Sequence, residues 1–488
     1  METRRDFLKG TAWMGVLAFA AGCISKEGTC AAPGGAMCGF AAPALKKVRV
    51  GVVGLGHRGS GAVHRLAMIP GVTVTALCDF RQEKIDAQVK WLKDNKKPEA
   101  RQFTGPEGWK RMCEWDGIDV VYNVTNWANH APVALYAMKA GKHVFIEVPA
   151  AMTLDECWEL VETSEATKRH CMQLENCCYG EEEMLGYNLV RKGLLGEIVH
   201  GECAYIHDLR ASCYRPEAEG GYWKLWRLEW NTAHKGNQYT THGLGPIAQY
   251  MDINRGDRFD YLVSLESNQA NCEAYAKAAF GANSPQAARR VQMGDMNTTL
   301  IKTAMGRSIM LQHDVSSPRP YTRHNLVTGT KGIFYGMPWR TYGKTPSMMR
   351  LGFEDPAKPG SGVHQFLDEK ETKRYREEYR HPLWKKAGDI AKKVGGHGGM
   401  DFLMDLRWAY CLQNGMPLDM NVYDLAAWCS VAELSERSVR SGSMPQKVPD
   451  FTRGAWKTAK PLGLVDVDLE KLGLDASGVK KDASALNV

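Results

Sequence analysis

Gly54, Gly56 and Gly59 spell G-x-G-x-x-G within the stretch from Val48 to Asp79. Each glycine has a task in a dinucleotide site: the first permits a tight turn, the second lets backbone approach a pyrophosphate, and the third lets a helix pack close on a strand. A helix opening at such a loop turns unpaired N–H groups and a positive dipole end toward the phosphates. Asp79 follows Gly59 by 20 residues, where an acid can accept from the ribose hydroxyls of NAD. Asp79 favours NAD over NADP, whereas Arg81 beside it could receive a 2′-phosphate. The other reading is a glycine-rich turn that binds nothing, with Asp79 a turn residue. A second polar group, Asn123 to His130, includes Trp127, Ala128 and Asn129 and follows the apolar run from Ile118. Ligands of open α/β sheets sit beyond the carboxyl ends of strands, so this group is placed to meet the nicotinamide or its ribose.

The elements that must position these residues alternate. Strands are expected at Val48 to Val53, Val72 to Leu77, Ile118 to Val124, Val144 to Ile146 and Met172 to Glu175. Helices are expected from about Gly59, at Gln82 to Asn95, Trp109 to Trp115, Ala131 to Ala140 and Thr153 to Lys168. That βαβα order predicts a parallel sheet. From about Ile198 the pattern becomes strand-rich, with hairpin turns at Gly306 and Gly332, and predicts an open, mostly antiparallel sheet. Further helices are expected at Glu183 to Lys192, Asp401 to Asn414 and Asp424 to Ser441, and the tail past Pro445 should wrap the surface. The organisation read from this is a leader over 1–23, a linker over 24–45, a dinucleotide-binding domain over 46–176, an α+β domain over 177–453 and a tail over 454–488.

At 488 residues the chain is too long for one ordinary core. Its 44% apolar and 24% charged residues describe a soluble globular protein. A net charge of +7 without a concentrated basic tract excludes a dedicated nucleic-acid binder. Thr3-Arg4-Arg5-Asp6-Phe7-Leu8-Lys9 matches the twin-arginine export pattern, and Trp13 to Gly22 is too short to span a bilayer. Ala20-Ala21-Gly22-Cys23 allows lipidation at Cys23; the alternative is cleavage near Ala18 to Ala20. The expected location is the periplasm, or the outer membrane or cell surface through a lipid anchor. Twin-arginine export carries folded proteins, so a cofactor would be held tightly and regenerated within each turnover. None of the 14 cysteines has zinc-like spacing, and most should be buried thiols; a Cys30–Cys38 bridge is conceivable. Glu202, His207 and Asp208 share one strand and point opposite ways, so no metal site is expected.

Taken together, the chain resembles the Gfo/Idh/MocA family, a Rossmann domain followed by an α/β domain with an open sheet. That family carries Glu-Lys-Pro after its fifth strand, and the lysine assists hydride transfer; here the residues are Glu147-Val148-Pro149. A narrower resemblance is to glycoside hydrolase family 109, the NAD-dependent α-N-acetylgalactosaminidases. It rests on GLGHRG from Gly54, NWANH from Asn126, EVP from Glu147, LEN from Leu174, the long run from Trp226 to Met251, and RPYTRHN from Arg319. The resemblance implies that His57, Arg58, Asp79, Trp127 to His130, Glu147, Val148 and Asn176 line NAD. It implies that Tyr205, Arg227, Tyr239, Thr240, Thr241, His242 and Tyr321 line the sugar, with Tyr239 also near the nicotinamide. A second copy pairing through the open sheet is a further implication.

A hydrolase that needs NAD but consumes none must borrow a hydride and return it, and NAD-dependent elimination is a known exception among glycosidases. The route implied oxidises the C3 hydroxyl, which acidifies the C2 proton. A base removes that proton, the C1 oxygen leaves, water adds, and the ketone is reduced back. His242 is the first choice for acid or base, because histidine titrates nearest neutral pH; a structural or helix N-terminal histidine is the alternative. Tyr205 is assigned to substrate or proton transfer and Arg227 to a clamp on the sugar. Their alternatives are a core tyrosine and a surface salt bridge, and Tyr321 could be simple turn packing. Trp223, Trp226 and Trp230 would share a helical face and stack on a sugar or pack in the core. His397, between glycines, either approaches the site or is a loop residue. The leading expectation is an exported enzyme removing terminal α-linked N-acetylgalactosamine. Its rivals are an exported sugar oxidoreductase with tightly held NAD(P) and a sugar-binding protein that merely retains the nucleotide.

Overall fold

The computed structural model describes residues 34–337, 349–358, 360, 362–463, 465–472 and 474. The expected leader, Cys23 and Cys30 lie outside them. Six strands, β1 (Val48–Val53), β2 (Val72–Asp79), β3 (Arg101–Thr104), β4 (Val120–Asn123), β5 (His143–Ile146) and β6 (Cys171–Gln173), form one sheet in the order β3-β2-β1-β4-β5-β6. Every pairing in it is parallel. β4 and β5 are buried along their whole length, as expected where helices cover both faces. The order reverses between β1 and β4, which opens a crevice at their carboxyl ends.

The second sheet holds β7 (Ile198–Ile206), β8 (Phe259–Glu266), β9 (Asn297–Thr303), β10 (Ser308–Asp314), β11 (His324–Gly329), β12 (Gly332–Met337), β13 (Arg350–Phe353) and β14 (Gln446–Lys447). Its order is β13-β12-β11-β7-β10-β9-β8-β14. Only β7 and β10 run parallel; the other pairs are antiparallel. The α/β fold expected from the sequence is therefore the observed one. Leu262, Ile301, Ile309 and Leu311 are buried on one face, and Tyr261, Leu265 and Leu300 are exposed.

Three local expectations shift. The helix expected at Ala131 spans Trp127–Lys139, one turn earlier. Buried Asn123 sets that start: its Nδ2 donates to His130 O at 2.9 Å and its Oδ1 accepts from Thr125 Oγ1 at 2.7 Å. The β11–β12 turn is Thr330-Lys331, and Gly332 already belongs to β12. The segment after Pro445 does more than wrap the surface: β14 pairs with β8, and Phe451 and Trp456 are buried.

A helix at Thr241–Tyr250 was not expected, since THGLGPIAQY carries two glycines and a proline, all poor helix formers. Packing overrides propensity here. A Cβ on Gly243 would lie 2.6 Å from the Ala204 backbone nitrogen, so only glycine lets this helix lie on β7.

The helix Met400–Asn414 belongs late in the chain but lies against the first sheet. Phe145 and Trp408 rings stand 4.5 Å apart, and Asp405 accepts from Tyr122 Oη at 2.9 Å and Arg65 Nε at 3.0 Å. One turn earlier, buried Asp401 meets Arg58 Nη1 at 2.8 Å and Arg65 Nη1 at 3.6 Å. Burial raises the Asp401 pKa, but Arg58, His397 and Arg65 outweigh it and hold the carboxyl well below the ordinary range.

A depressed folded pKa contributes stability that is full above the unfolded value of about 4 and drains as pH falls toward the folded one. Asp401→Asn should therefore destabilise by roughly 3–5 kcal/mol at neutral pH, the range for removing one partner of a buried ion pair. The gap in thermal midpoint between the two proteins should hold from pH 7 to about pH 5 and narrow below pH 4. A gap unchanged on acidification would show that Asp401 is not the ionised member of this network.

Candidate active site and nucleotide cleft

The three glycines do different work, as their surroundings show. Gly54 has φ +87°, and a Cβ there would meet Val124 O at 2.5 Å. A Cβ on Gly59 would meet Gly54 O at 1.8 Å, which fixes the close packing of the His57–Leu66 helix. Nothing lies within 4 Å of the Cβ position of Gly56, so this is the open face of the cradle. Asp79 ends β2, where its Oδ2 accepts from Leu55 N at 2.8 Å and its Oδ1 from Arg81 N at 3.0 Å. Both bonds aim the carboxylate without exhausting its lone pairs. A cavity of about 430 Å³ stands over this loop, within the size range of ligand pockets. His57, Asp79, Thr125, Asn126 and Asn129 line it, together with Phe80, Trp109 and Trp223. An open glycine, an aimed acid and a helix N-terminus at one cavity fit a pyrophosphate and its ribose.

The other residues expected beside NAD divide into two groups. Arg58, Glu147 and Asn176 are brought together under the loop with a fourth residue the sequence did not reveal, Asp401. Arg58 meets Glu147 Oε1 at 2.6 Å and Asp401 Oδ2 at 2.8 Å, and Asn176 Nδ2 donates to Asp401 Oδ1. His397 joins them, with Nδ1 at 2.9 Å from Asp401 Oδ2 and 3.1 Å from Arg58 Nη1. It thus stands by the glycine loop rather than by the sugar residues. His130 is buried, with Nδ1 2.7 Å from Pro149 O and Nε2 2.9 Å from Thr125 O, which leaves no ring nitrogen for a ligand. Ala128 is exposed on the first helical turn, and Val148 is buried.

Trp127 links this cleft to the second sheet. Its ring meets Trp226 at 5.0 Å and Trp230 at 5.6 Å, both edge-on. Trp223 does not share their face: Lys224 and Leu225 have φ of 49° and 54°, which breaks the helix before Trp226. Trp223 packs on Phe80 instead, at 5.0 Å. Arg227 is buried, with its guanidinium 5.0 Å from the Trp127 ring and 4.9 Å from the Tyr239 ring. Nη1 donates to Tyr222 Oη at 3.1 Å. Among the described residues no carboxylate lies within ion-pair distance of it, so the surface salt bridge is ruled out. A buried cation held only by ring faces and a phenol is costly unless a ligand completes its shell.

His242 sits in the first turn of the Thr241–Tyr250 helix. Its Nδ1 lies 2.8 Å from Glu175 Oε1, and its Nε2 lies 3.4 Å from Tyr239 Oη. Glu175 is fully buried; burial raises its pKa, but His242 and the Cys177 N–H bring it below the usual carboxylate range. An ionised carboxylate only accepts. Nδ1 is therefore the protonated nitrogen and Nε2 the free base in the neutral ring. Glu175 was missed as a site residue, though its place just past the end of β6 marks it.

Tyr205, near the end of β7, stacks 4.4 Å from Tyr239 and 5.4 Å from His242, and its Oη lies 2.8 Å from His207 Nδ1. Burial pushes the Tyr205 and Tyr239 hydroxyls well above their ordinary pKa, so both stay protonated. Tyr321 stands 6.0 Å from Tyr205, and its hydroxyl accepts from Arg323 Nη1 at 2.8 Å. Arg323, paired with buried Glu183, was also missed. Thr240 is turned away, its hydroxyl donating to Trp428 O at 2.7 Å, while the buried Thr241 hydroxyl lies beside Glu175 and helps to lower that carboxyl. Glu175, Cys177 and His242 bring potential metal donors within 4.8 Å of one another. Here the carboxylate and Nδ1 are bonded to each other, and burial keeps the Cys177 thiol protonated.

Comparison with known proteins agrees with both halves. Residues 48–174 match the family described as "Oxidoreductase family, NAD-binding Rossmann fold", and residues 179–458 match "Glycosyl hydrolase 109, C-terminal domain". A "Glycosyl hydrolase family 109 protein 2" from Phocaeicola vulgatus is 48% identical over 85% of this chain and 97% of its own length. An "Alpha-N-acetylgalactosaminidase" from Bacteroides fragilis is 47% identical over 86% of this chain and 95% of its own. A levoglucosan dehydrogenase solved with NADH and levoglucosan superposes with a TM-score of 0.61 at 17% identity, over 83% of this chain and 100% of that one. This last likeness is one of fold. With a nucleotide cleft that fits NAD and family matches across both sheets, the chain belongs to glycosyl hydrolase family 109.

Proposed function

We propose that this enzyme removes terminal α-linked N-acetylgalactosamine from glycans, by an oxidation–elimination–addition–reduction route without net use of NAD. The observation that carries the reading is the meeting of Arg227, Tyr239 and the Glu175–His242 pair with Trp127, at the carboxyl end of the nucleotide-binding sheet. The B. fragilis relative's name supports the sugar. Val148, standing where the wider family has its hydride-transfer lysine, weighs against a plain dehydrogenase.

When bound, NAD⁺ would accept the hydride from the sugar C3 as the hydroxyl proton leaves to water, and the hydride would be given back, with a proton from water, at the end. The remaining work falls to side chains. His242 Nε2, the basic nitrogen of the neutral ring whose tautomer the Glu175 bond fixes, takes the C2 proton made acidic by the neighbouring C3 carbonyl, and later returns it. Expulsion of the C1 oxygen needs a proton, and Tyr205 carries one that burial keeps in place. Arg227 offers its unsatisfied N–H groups to the acetamide carbonyl or ring hydroxyls, and Tyr321, fixed by Arg323, closes the other side of the sugar. A positioned acid–base group of this kind contributes about 10²–10⁴-fold.

The reading includes export. Arg4 and Arg5 with the apolar run to Gly22 support the twin-arginine route, and Cys23 supports a lipid anchor. Mass spectrometry of the mature protein from a membrane fraction should find diacylglycerol on Cys23; a soluble form cut near Ala20 would remove the anchor from the proposal.

Purified enzyme should release nitrophenol from p-nitrophenyl α-N-acetylgalactosaminide without added NAD, and in D₂O the freed sugar should carry deuterium at C2. Bulk NADH without nitrophenol would replace the hydrolase with an oxidoreductase. His242→Ala should lose about 10²-fold or more in kcat while retaining bound nucleotide. Glu175→Gln, which keeps the shape but favours the wrong tautomer, should lose at least ~10-fold and alter the pH profile. Loss of nucleotide from either variant would show that the pair serves binding rather than proton transfer.

A further inference from the structure

The nucleotide cavity is closed on one side by chain from the second half of the protein. The stretch from Arg210 to Leu225 supplies Glu217, Gly221, Tyr222 and Trp223 to its lining, opposite Asp79, Phe80 and Arg81 at the end of β2. Four contacts fasten it. Arg81 Nη1 meets Glu217 Oε2 at 2.8 Å, Lys84 Nζ meets Glu217 Oε1 at 3.2 Å, and the Trp223 ring lies 5.0 Å from Phe80 and 5.4 Å from the Arg81 guanidinium. The carboxylate and guanidinium are only 25% and 18% exposed. Phe80 stays 52% exposed although it lines the cavity, leaving ring area toward the space where a base would lie.

This arrangement changes what Arg81 can do. An arginine two residues past the acid that ends β2 stands where NADP-binding sheets place the group that accommodates a 2′-phosphate. Here both cations on this side, Arg81 and Lys84, are already taken by Glu217. Asp79 and Glu83 add two more carboxylates, with Oδ1 of Asp79 3.8 Å and Oε1 of Glu83 4.0 Å from Arg81 Nε. Three acids against two cations leave no net positive charge for a dianionic phosphate, and Glu217 would face it at close range. A 2′-hydroxyl, in contrast, needs only an acceptor, which Asp79 or Glu217 provides.

We propose that Glu217 sets the choice of NAD over NADP and helps retain the nucleotide. It does so by occupying Arg81 and Lys84 and by closing the adenosine end of the cleft from the second domain. The β2 acid alone leaves Arg81 free to accept a phosphate; Glu217 removes that option.

The test is binding. Protein stripped of nucleotide is titrated with NAD⁺ and with NADP⁺ by calorimetry, as wild type, Glu217→Gln, and Glu217→Gln with Arg81→Ala. Wild type should prefer NAD⁺. Glu217→Gln should tighten NADP⁺ binding by ~10-fold or more through the freed cations, while NAD⁺ binding weakens by no more than about 10-fold. The added Arg81→Ala change should erase the NADP⁺ gain. Unstripped Glu217→Gln should also exchange its bound NAD⁺ for labelled NAD⁺ faster than wild type. A selectivity ratio unchanged in Glu217→Gln, or a wild type that binds both nucleotides equally, would overturn the proposal. Should Glu217→Gln lose its cooperative thermal transition, Glu217→Asp, which withdraws the carboxylate by one methylene, is titrated instead with the same expected change of ratio. Because these readouts use no sugar, they fail or succeed independently of the proposed glycosidase activity.

Discussion

The buried carboxylate of Asp401 is the tie on which the nucleotide cleft depends. It balances Arg58 at the glycine loop and Arg65 two turns along the same helix. Each arginine has a carboxylate of its own, Glu147 for Arg58 and Asp405 for Arg65, and Asp401 is the one they share. Arg58 in turn reaches Glu147 after β5, so the ends of β1 and β5 are coupled through one guanidinium. Asn176, after β6, binds the same carboxylate. The strand ends that face the cofactor are thus held by a single buried ionic cluster, which leaves the backbone of the loop free for phosphates.

Across the cleft the arrangement relies on uncharged neighbours. Arg227 lies among Trp127, Tyr222 and Tyr239 with no carboxylate in reach among the described residues, and burial pushes the Tyr205 and Tyr239 hydroxyls well above their ordinary pKa. A low-polarity wall strengthens each remaining hydrogen bond. On this side Glu175 is spent on orienting His242, and Glu183 on Arg323, which fixes Tyr321. Ionic pairs thus brace both sides of the cleft, and on the sugar side phenols and Arg227 are left to face the ligand.

How much of this could be read from the residues follows from the range of the interactions. The glycine loop and Asp79 are local features, and their spacing carries their meaning. Residues quoted from the resemblance, such as Tyr205, Arg227, Tyr239 and His242, do converge. Asp401 was opaque as a partner of Arg58, because 343 residues separate them and nothing in DFLMDLR marks one aspartate as buried. The helix holding His242 was hidden by its own glycines, which serve close packing on β7 rather than flexibility. The tryptophan spacing misled because spacing assumes an unbroken helix, and two left-handed residues intervene. Glu175 was within reach, since it follows a strand end in the sheet already recognised.

The covering of the first sheet by Met400–Asn414 bears on how the protein is made. Tyr122, Phe145 and Arg65 finish their packing only on a helix translated after most of the second sheet. A ribosome releases the amino-terminal half first, and domains that are contiguous in sequence mature in that order. This chain departs from that schedule: its nucleotide loop lacks the Asp401 countercharge until about four fifths of the chain has been made. The strand ends that frame the cleft are therefore braced in full only late in synthesis.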